Sequence, residues 1–176
     1  MKTAGVLFAV AIALALQTTL ARYTVSSLAT VDLVLVAVVY AALSSGPVLG
    51  LFAGTVGGLA QDALSAQIIG IGGLAKTLVG FVTGVVGSQF IVSGAIPRFV
   101  VFLGASLVHT VCFRGVHAML PVVAADSGLP APRGAGVALG AVFWQAVGNG
   151  VIGLLVFQAV EGLPGLLQRR RMRYKR

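Results

Sequence analysis

The chain of 176 residues is 58% hydrophobic and only 9% charged, whereas a soluble domain carries about 25% charged residues. So few charges cannot cover a water-facing surface, which excludes a soluble globular protein and indicates one integral membrane domain. The formal net charge is +8, but six of the twelve basic residues lie in the tail 169–176. No basic helix face with interleaved aromatics is present, which argues against nucleic acid as a partner. A basic run directly after an apolar segment is typical of a cytoplasmic anchor on anionic lipid.

Six apolar segments predict an all-α bundle of six transmembrane helices, since a crossing helix needs about 20 apolar residues. The first segment also resembles a secretory signal peptide, but it leads into a chain that is itself apolar, so we expect a retained helix. Asp32 lies near the start of the second segment, where the helix dipole favours a carboxylate at the water boundary; a proton carrier is the alternative. The expected spans are 4–20, 28–43, 47–60, 73–90, 99–123 and 135–160.

Two series of small residues mark the third and fourth segments. Residues four apart lie on one face of a helix, so each series forms a groove without large side chains. Such grooves let membrane helices approach backbone to backbone. We therefore predict two closely packed helices, with the polar pair Gln61 and Asp62 at the end of the first. The series are Gly46, Gly50, Gly54, Gly58 and Asp62, then Gly72, Lys76, Gly80, Gly84 and Ser88.

The start of the fourth helix decides how Lys76 is interpreted. A helix beginning at Ser65 would bury Lys76 deep in the bilayer, at a cost of about 2.5–3.5 kcal/mol. A start near Gly73 puts Lys76 one turn inside the helix, where its stem can extend to the interface. We expect the second arrangement, with the ammonium group of Lys76 reaching Asp62.

The polar residues of the fifth segment do not form a recognisable catalytic or metal site. His109 and His117 lie eight residues apart, about 12 Å along one helix, which is too far to share a zinc ion. Arg114 could extend outward or pair with Asp62 or Asp126, and ligand binding is the alternative. No protease constellation appears either, so we predict no enzymatic activity, no metal and no cofactor.

The sixth segment carries Gln145 and Asn149 at i and i+4. Ala141 and Gly153 continue the same face, which suits packing and hydrogen bonding between helices; a substrate contact is the alternative. An even number of spans places both termini on one side, together with Lys2, Arg98 and the basic tail. By the positive-inside rule that side is the cytoplasm.

The block from Gly54 to Gly84 resembles the family of the rod shape-determining protein MreD. The residues that carry the resemblance are Gly54, Gly58, Gln61 to Ser65, Gly70 to Leu74, Lys76 to Gly80 and Gly84. The segment Leu16 to Leu20, the start of the second span at Asp32, the face of Gln145 and Asn149 and the basic tail are similar to that family as well.

The resemblance implies a non-catalytic protein of the bacterial inner membrane that serves in cell elongation and lateral peptidoglycan synthesis. The implied direct partner is MreC, and through it MreB, RodA and a class B penicillin-binding transpeptidase. The turn 61–73 or an outer face of the bundle would receive the transmembrane helix of MreC. The family also resembles the substrate-binding S-components of energy-coupling-factor vitamin transporters in its six-helix fold.

An S-component is therefore the alternative function. It would need a roomy outward pocket lined by aromatic and convergent polar groups. The longest predicted outer loop, 121–134, has no aromatic residue, and the single tryptophan, Trp144, lies within the sixth segment. These observations favour the scaffold.

Overall fold

A computed structural model describes residues 2–23, 31–65, 68–90, 92, 94–119 and 135–173. Every regular element in these ranges is an α-helix, which confirms the all-helical prediction. The predicted loop 121–134 lies outside the described residues. In chain order the helices are α1 (Lys2–Tyr23), α2 (Leu33–Ser45), α3 (Pro47–Leu64), α4 (Ile71–Gln89), α5 (Ala95–Met119) and α6 (Ala135–Arg173).

The short helix α2 lies at the centre of the bundle and contacts all five other helices. All four of its valines are buried, and Val34, Val38 and Val39 have no exposed surface. One face of α2 packs with Val79, Phe102 and other residues of α4, α5 and α6. The opposite face packs with α1 and α3. Because α2 packs against other helices on both faces, it forms the core around which the longer helices are arranged.

Helices α2 and α3 are separated by a single residue, Gly46. Its φ of +92° lies in the region that side chains disfavour, and Pro47 begins α3. Glycine after a helix and proline at the first position of the next are the residues that this junction requires. The chain therefore reverses abruptly and α3 packs back against α2.

Helices α3 and α4 form an antiparallel pair, the most extensive helix contact in the described part of the chain. A methyl group on Gly58 would come within 2.6 Å of the Cα of Gly73, and one on Gly84 within 2.6 Å of the backbone nitrogen of Pro47. Between them, a methyl group on Gly54 would meet the backbone of Lys76 at 2.6 Å. The two glycine grooves thus face one another, and the helix backbones touch along their length.

The helix bounds differ from the expected spans at several ends. Helix α2 begins at Leu33 instead of residue 28, because Asp32 caps it, and α3 continues through Asp62 to Leu64. Helix α4 begins at Ile71, close to the expected Gly73. Helix α6 runs on to Arg173, past the expected end of the sixth span at residue 160.

Among the described residues, four helices are long and apolar enough to cross a membrane, which is consistent with a membrane protein. Helix α2 is apolar but has only 13 residues, about 20 Å at 1.5 Å per residue. Being enclosed by its neighbours, it need not match the thickness of the bilayer by itself. The candidate spans in these four helices are Thr3–Leu20, Ile71–Gln89, Ala95–Val116 and Gly140–Val160.

Candidate functional site

A buried ion pair joins the start of α2 to α4. The Nζ atom of Lys76 lies 2.7 Å from Oδ2 of Asp32, and the two side chains are only 3% and 9% exposed. The other carboxylate oxygen of Asp32 accepts a hydrogen bond from the backbone N–H of Leu35 at 2.9 Å. Asp32 is thus the N-cap of α2 and at the same time the counter-ion of Lys76. An ion pair so enclosed requires that both charges have their partners.

His109 of α5 adds a third titratable side chain to this pair. Its Nε2 atom lies 3.3 Å from Nζ of Lys76, and the imidazole is buried. The ring of Phe113, one turn further along α5, stacks against it with centroids 5.8 Å apart. Lys76 therefore bridges the carboxylate of α2 and the imidazole of α5.

Asn149 of α6 completes the connection. Its Oδ1 atom accepts the backbone N–H of Asp32 at 2.9 Å, and its Nδ2 donates to Oγ of Ser106 at 2.9 Å. Both side chains are only 1% exposed. A continuous network of five residues thus links α2, α4, α5 and α6, and we call it the polar core: Asp32, Lys76, Ser106, His109 and Asn149.

Gln17 of α1 attaches the first helix to the same junction. Its amide oxygen accepts the backbone N–H of Leu33 at 2.7 Å, and its amide nitrogen donates to the carbonyl oxygen of Val31 at 3.0 Å. Together with the Asp32 cap, these bonds satisfy backbone groups that the first turn of a helix leaves without intrahelical partners. The start of α2 is therefore fixed from α1, α4 and α6 at once.

The glycine interface brings Lys76 into this position. The backbone of Lys76 packs directly against Gly54, and the hydroxyls of Thr55 and Thr77 lie 2.8 Å apart across the same interface. From this interface the Lys76 side chain extends to Asp32 and His109. Gly54, Gly58, Gly80 and Gly84 thus act on the polar core indirectly, through the placement of α4.

The sequence-based pairing of Lys76 with Asp62 is wrong. Asp62 is buried at the end of α3, and its Oδ2 atom accepts the backbone N–H groups of Gly70 and Gly73 at 2.9 and 3.0 Å. A carboxylate in this position satisfies unpaired amides and complements the positive end of the helix dipole. Asp62 therefore acts as a cap supplied by α3 to the first turn of α4, while Asp32 neutralises Lys76.

Gly72 shows how closely the Asp62 cap fits. A Cβ atom at this position would lie 3.1 Å from the carboxylate carbon of Asp62 and would meet its Oδ1 atom even more closely. Gly70, just before α4, has φ of +110°, which glycine adopts without strain. The approach of Asp62 therefore accounts for Gly72, and the backbone conformation accounts for Gly70.

The other candidate residues lie away from the polar core or only beside it. Arg114 is exposed rather than paired with Asp62. Gln145 is partly buried, one turn before Asn149. The amide oxygen of Gln61 is buried without a hydrogen-bond partner. The side chain of His117, residue Asp126 and the side chains of the tail 169–176 lie outside the part of the chain that the structure describes.

The chemistry available to the polar core is that of charge pairing and proton binding. Within the described residues, no three His, Cys, Asp or Glu side chains converge as a metal site would require. Each member of the polar core already has a partner within the network. The arrangement is suited to fixing helices relative to one another.

Sequence reasoning missed that Asp32, Lys76 and His109 meet. Each was identified as an unusual polar residue in an apolar segment, which is the correct signal. The usable clue was the charge balance of the membrane segments: Asp32 and Lys76 are a lone acid and a lone base in separate helices, and a charge inside a bundle requires a partner.

The chain matches no known protein family, and no curated protein or solved structure is significantly similar to it.

Proposed function

We propose that the protein is a non-catalytic scaffold of the bacterial inner membrane that binds MreC within the cell-elongation complex. The proposal rests on the resemblance of residues 54–84 to MreD and on the way the described bundle uses its polar groups. MreB, RodA and the class B transpeptidase would join through MreC. As a peptidoglycan-synthesis scaffold, the protein would act through contacts between membrane helices.

The observation that carries this proposal is the internal pairing of the polar core. Lys76 is occupied by Asp32 and His109, and Asn149 is occupied by Asp32 and Ser106. A vitamin-binding S-component would require convergent polar groups that are free to hold its ligand. Side chains that bind one another instead make a rigid bundle, which is the property that a scaffold needs.

The surface of the bundle offers apolar faces for a partner helix. Only 11% of the apolar segment of α1 is buried within the described chain, and α5 and α6 are also largely uncovered. On α4, Leu74, Leu78 and Phe81 are exposed at helical spacing, beside the turn 61–73. We propose that the transmembrane helix of MreC packs along this stripe, where its side chains would replace lipid.

The orientation belongs to the same proposal. Both termini would lie in the cytoplasm, with the tail 169–176 on anionic lipid, as the distribution of basic residues favours. A lysine or arginine near an anionic surface contributes about 1 kcal/mol each. Six such residues would hold the end of α6 at the inner leaflet.

Affinity purification of the tagged protein from native membranes in mild detergent, followed by mass spectrometry, tests the proposal. Recovery of MreC and peptidoglycan synthases is expected. Recovery of an ATPase pair with its transmembrane coupling subunit would instead establish the transporter function and refute the scaffold.

Photo-crosslinking tests the contact face separately. A photoreactive amino acid at Leu78 should crosslink to MreC, whereas the same group at Val100, an exposed position on α5, serves as the matched control. Equal crosslinking from both positions would show that the stripe on α4 is not the specific contact. Crosslinking from Val100 alone would move the contact to α5.

A further inference from the structure

The hydrogen bond between Lys76 and His109 fixes the protonation state of the imidazole. An ammonium group has donors only, and that of Lys76 forms an ion pair with Asp32 at 2.7 Å. Nε2 of His109, 3.3 Å from Nζ, must therefore accept. A histidine that accepts at Nε2 is neutral and carries its proton on Nδ1.

The charges around His109 come from three other helices. Lys76 of α4 carries the nearest charge. Asp32 lies beyond it at the start of α2, and the third charge is the Asp62 carboxylate at the end of α3. Between residues 140 and 160, α6 has no titratable side chain, and it contributes the uncharged amide of Asn149. On α5 itself, the ring of Phe113 stacks against the imidazole.

A second proton on His109 would remove this contact. Both ring nitrogens would then be donors. The Nε2–H group would point at the N–H groups of the Lys76 ammonium, and the two side chains would each carry a positive charge. Asp32 cannot neutralise both cations, because its single charge is already paired with Lys76 and its Oδ1 binds the N–H of Leu35. The protonated ring must therefore move away from α4.

The contact that this movement would break is weaker than the main contact that holds α5. Helix α5 packs extensively on α6 but less extensively on α4, and it touches α2 only slightly. The contact of α3 with α4, by contrast, is the most extensive of all and involves backbone atoms. Any opening would thus occur between α4 and α5, with the α3–α4 pair intact.

We propose that His109 is a proton-binding site, and that protonation of its imidazole separates α5 from α4 by breaking the bond to Lys76. Buried histidines act as pH-dependent switches when their second proton cannot be accommodated beside a neighbouring cation. The proposal concerns the protein by itself and does not depend on MreC or on any other partner. It assigns to the polar core a conformational response to acid in addition to its role in packing.

The low histidine content of the chain allows the titration of His109 to be followed by NMR. Only two histidines are present, so in ¹⁵N-histidine-labelled protein with His117→Gln every imidazole signal comes from His109. The full chain in lipid nanodiscs would be titrated from about pH 8 to about pH 3, a range that extends well below the ordinary ionisation of imidazole because the ammonium group of Lys76 opposes the second proton. We expect the Nδ1–H tautomer at the alkaline end and a doubly protonated ring at the acid end.

A distance measurement detects the separation of the helices. The single cysteine, Cys112 on α5, and Val56→Cys at an exposed position of α3 would carry spin labels for double electron–electron resonance. On acidification, the separation should lengthen by about 2 Å, the usual scale of a helix shift. The matched variant His109→Gln keeps a hydrogen-bond acceptor but cannot take up a proton, and its distance should stay constant.

Three outcomes would overturn the proposal. The first is a His109 ring that carries its proton on Nε2 at the alkaline end or stays neutral throughout. The second is protonation of the ring without a change in distance. The third is an equal lengthening in His109→Gln, which would assign the acid response to the carboxylates.

Discussion

The pairing of Lys76 with Asp32 predicts a large coupling energy between these residues. Their charged atoms are 2.7 Å apart and their side chains are 3% and 9% exposed. Removing one partner of such a pair leaves the other charge buried, at a cost of about 3–5 kcal/mol. Lys76→Met and Asp32→Asn should each lower the free energy of unfolding by that amount. Asparagine is also a good N-cap, so Asp32→Asn removes the negative charge while the cap of α2 is kept.

The double variant should cost less than the sum of the single ones by about 2–3 kcal/mol, because it leaves no unpaired charge. Reversible unfolding of the purified protein in mixed micelles measures all four species. The matched cycle combines Lys76→Met with Asp62→Asn, and we expect a much smaller coupling there because Asp62 binds the amides of Gly70 and Gly73. A large coupling to Asp62, or additive effects at Asp32, would refute the pairing.

Three further predictions concern the helix contacts and use the same unfolding assay. Gly54→Ala should destabilise the protein by about 1–3 kcal/mol, because its methyl group would meet the Lys76 backbone at 2.6 Å; Gly104→Ala, with open space around it, should not. Asn149→Leu should cost about 1–3 kcal/mol, since it leaves the N–H of Asp32 buried without its acceptor. Asp62→Ala should destabilise by a similar amount through loss of its two hydrogen bonds to amides. A stable but assembly-defective Asp62→Ala would instead identify a partner contact.

The helical class and the close contact of α3 with α4 could be predicted because they depend on local patterns. Apolar segments of sufficient length predict helices, and glycine at every fourth position predicts a groove. The central position of α2 could not be predicted in this way. Its sequence is apolar on all sides, which fits a lipid-facing helix as well as an enclosed one, and its length is ambiguous until Asp32 is known to be its cap.

Four of the five residues of the polar core, all but Ser106, could be singled out from the sequence, but the network that joins them could not. Asp62 is closer to Lys76 in sequence than Asp32 is, and a turn between two helices makes their pairing plausible. The predicted pairing of Lys76 with Asp62 was wrong because backbone amides compete with Lys76 for the Asp62 carboxylate. Asp62 lies where the first turn of α4 offers two N–H groups, and these satisfy it without Lys76. The long-range partner of Lys76 depends on how α2 and α5 pack, which no local pattern contains.

The glycine grooves and the polar core are parts of one arrangement. Contact between the backbones of α3 and α4 at Gly54 fixes the rotation of α4 about its axis, and that rotation directs Lys76 towards the start of α2. Asp32 can receive it only because α2 begins there, held by Gln17 and Asn149. A substitution at Gly54 should therefore weaken the Lys76–Asp32 coupling as well as the packing. Repeating the Lys76→Met and Asp32→Asn cycle in a Gly54→Ala background would measure that dependence, and an unchanged coupling energy would show that the two parts are independent.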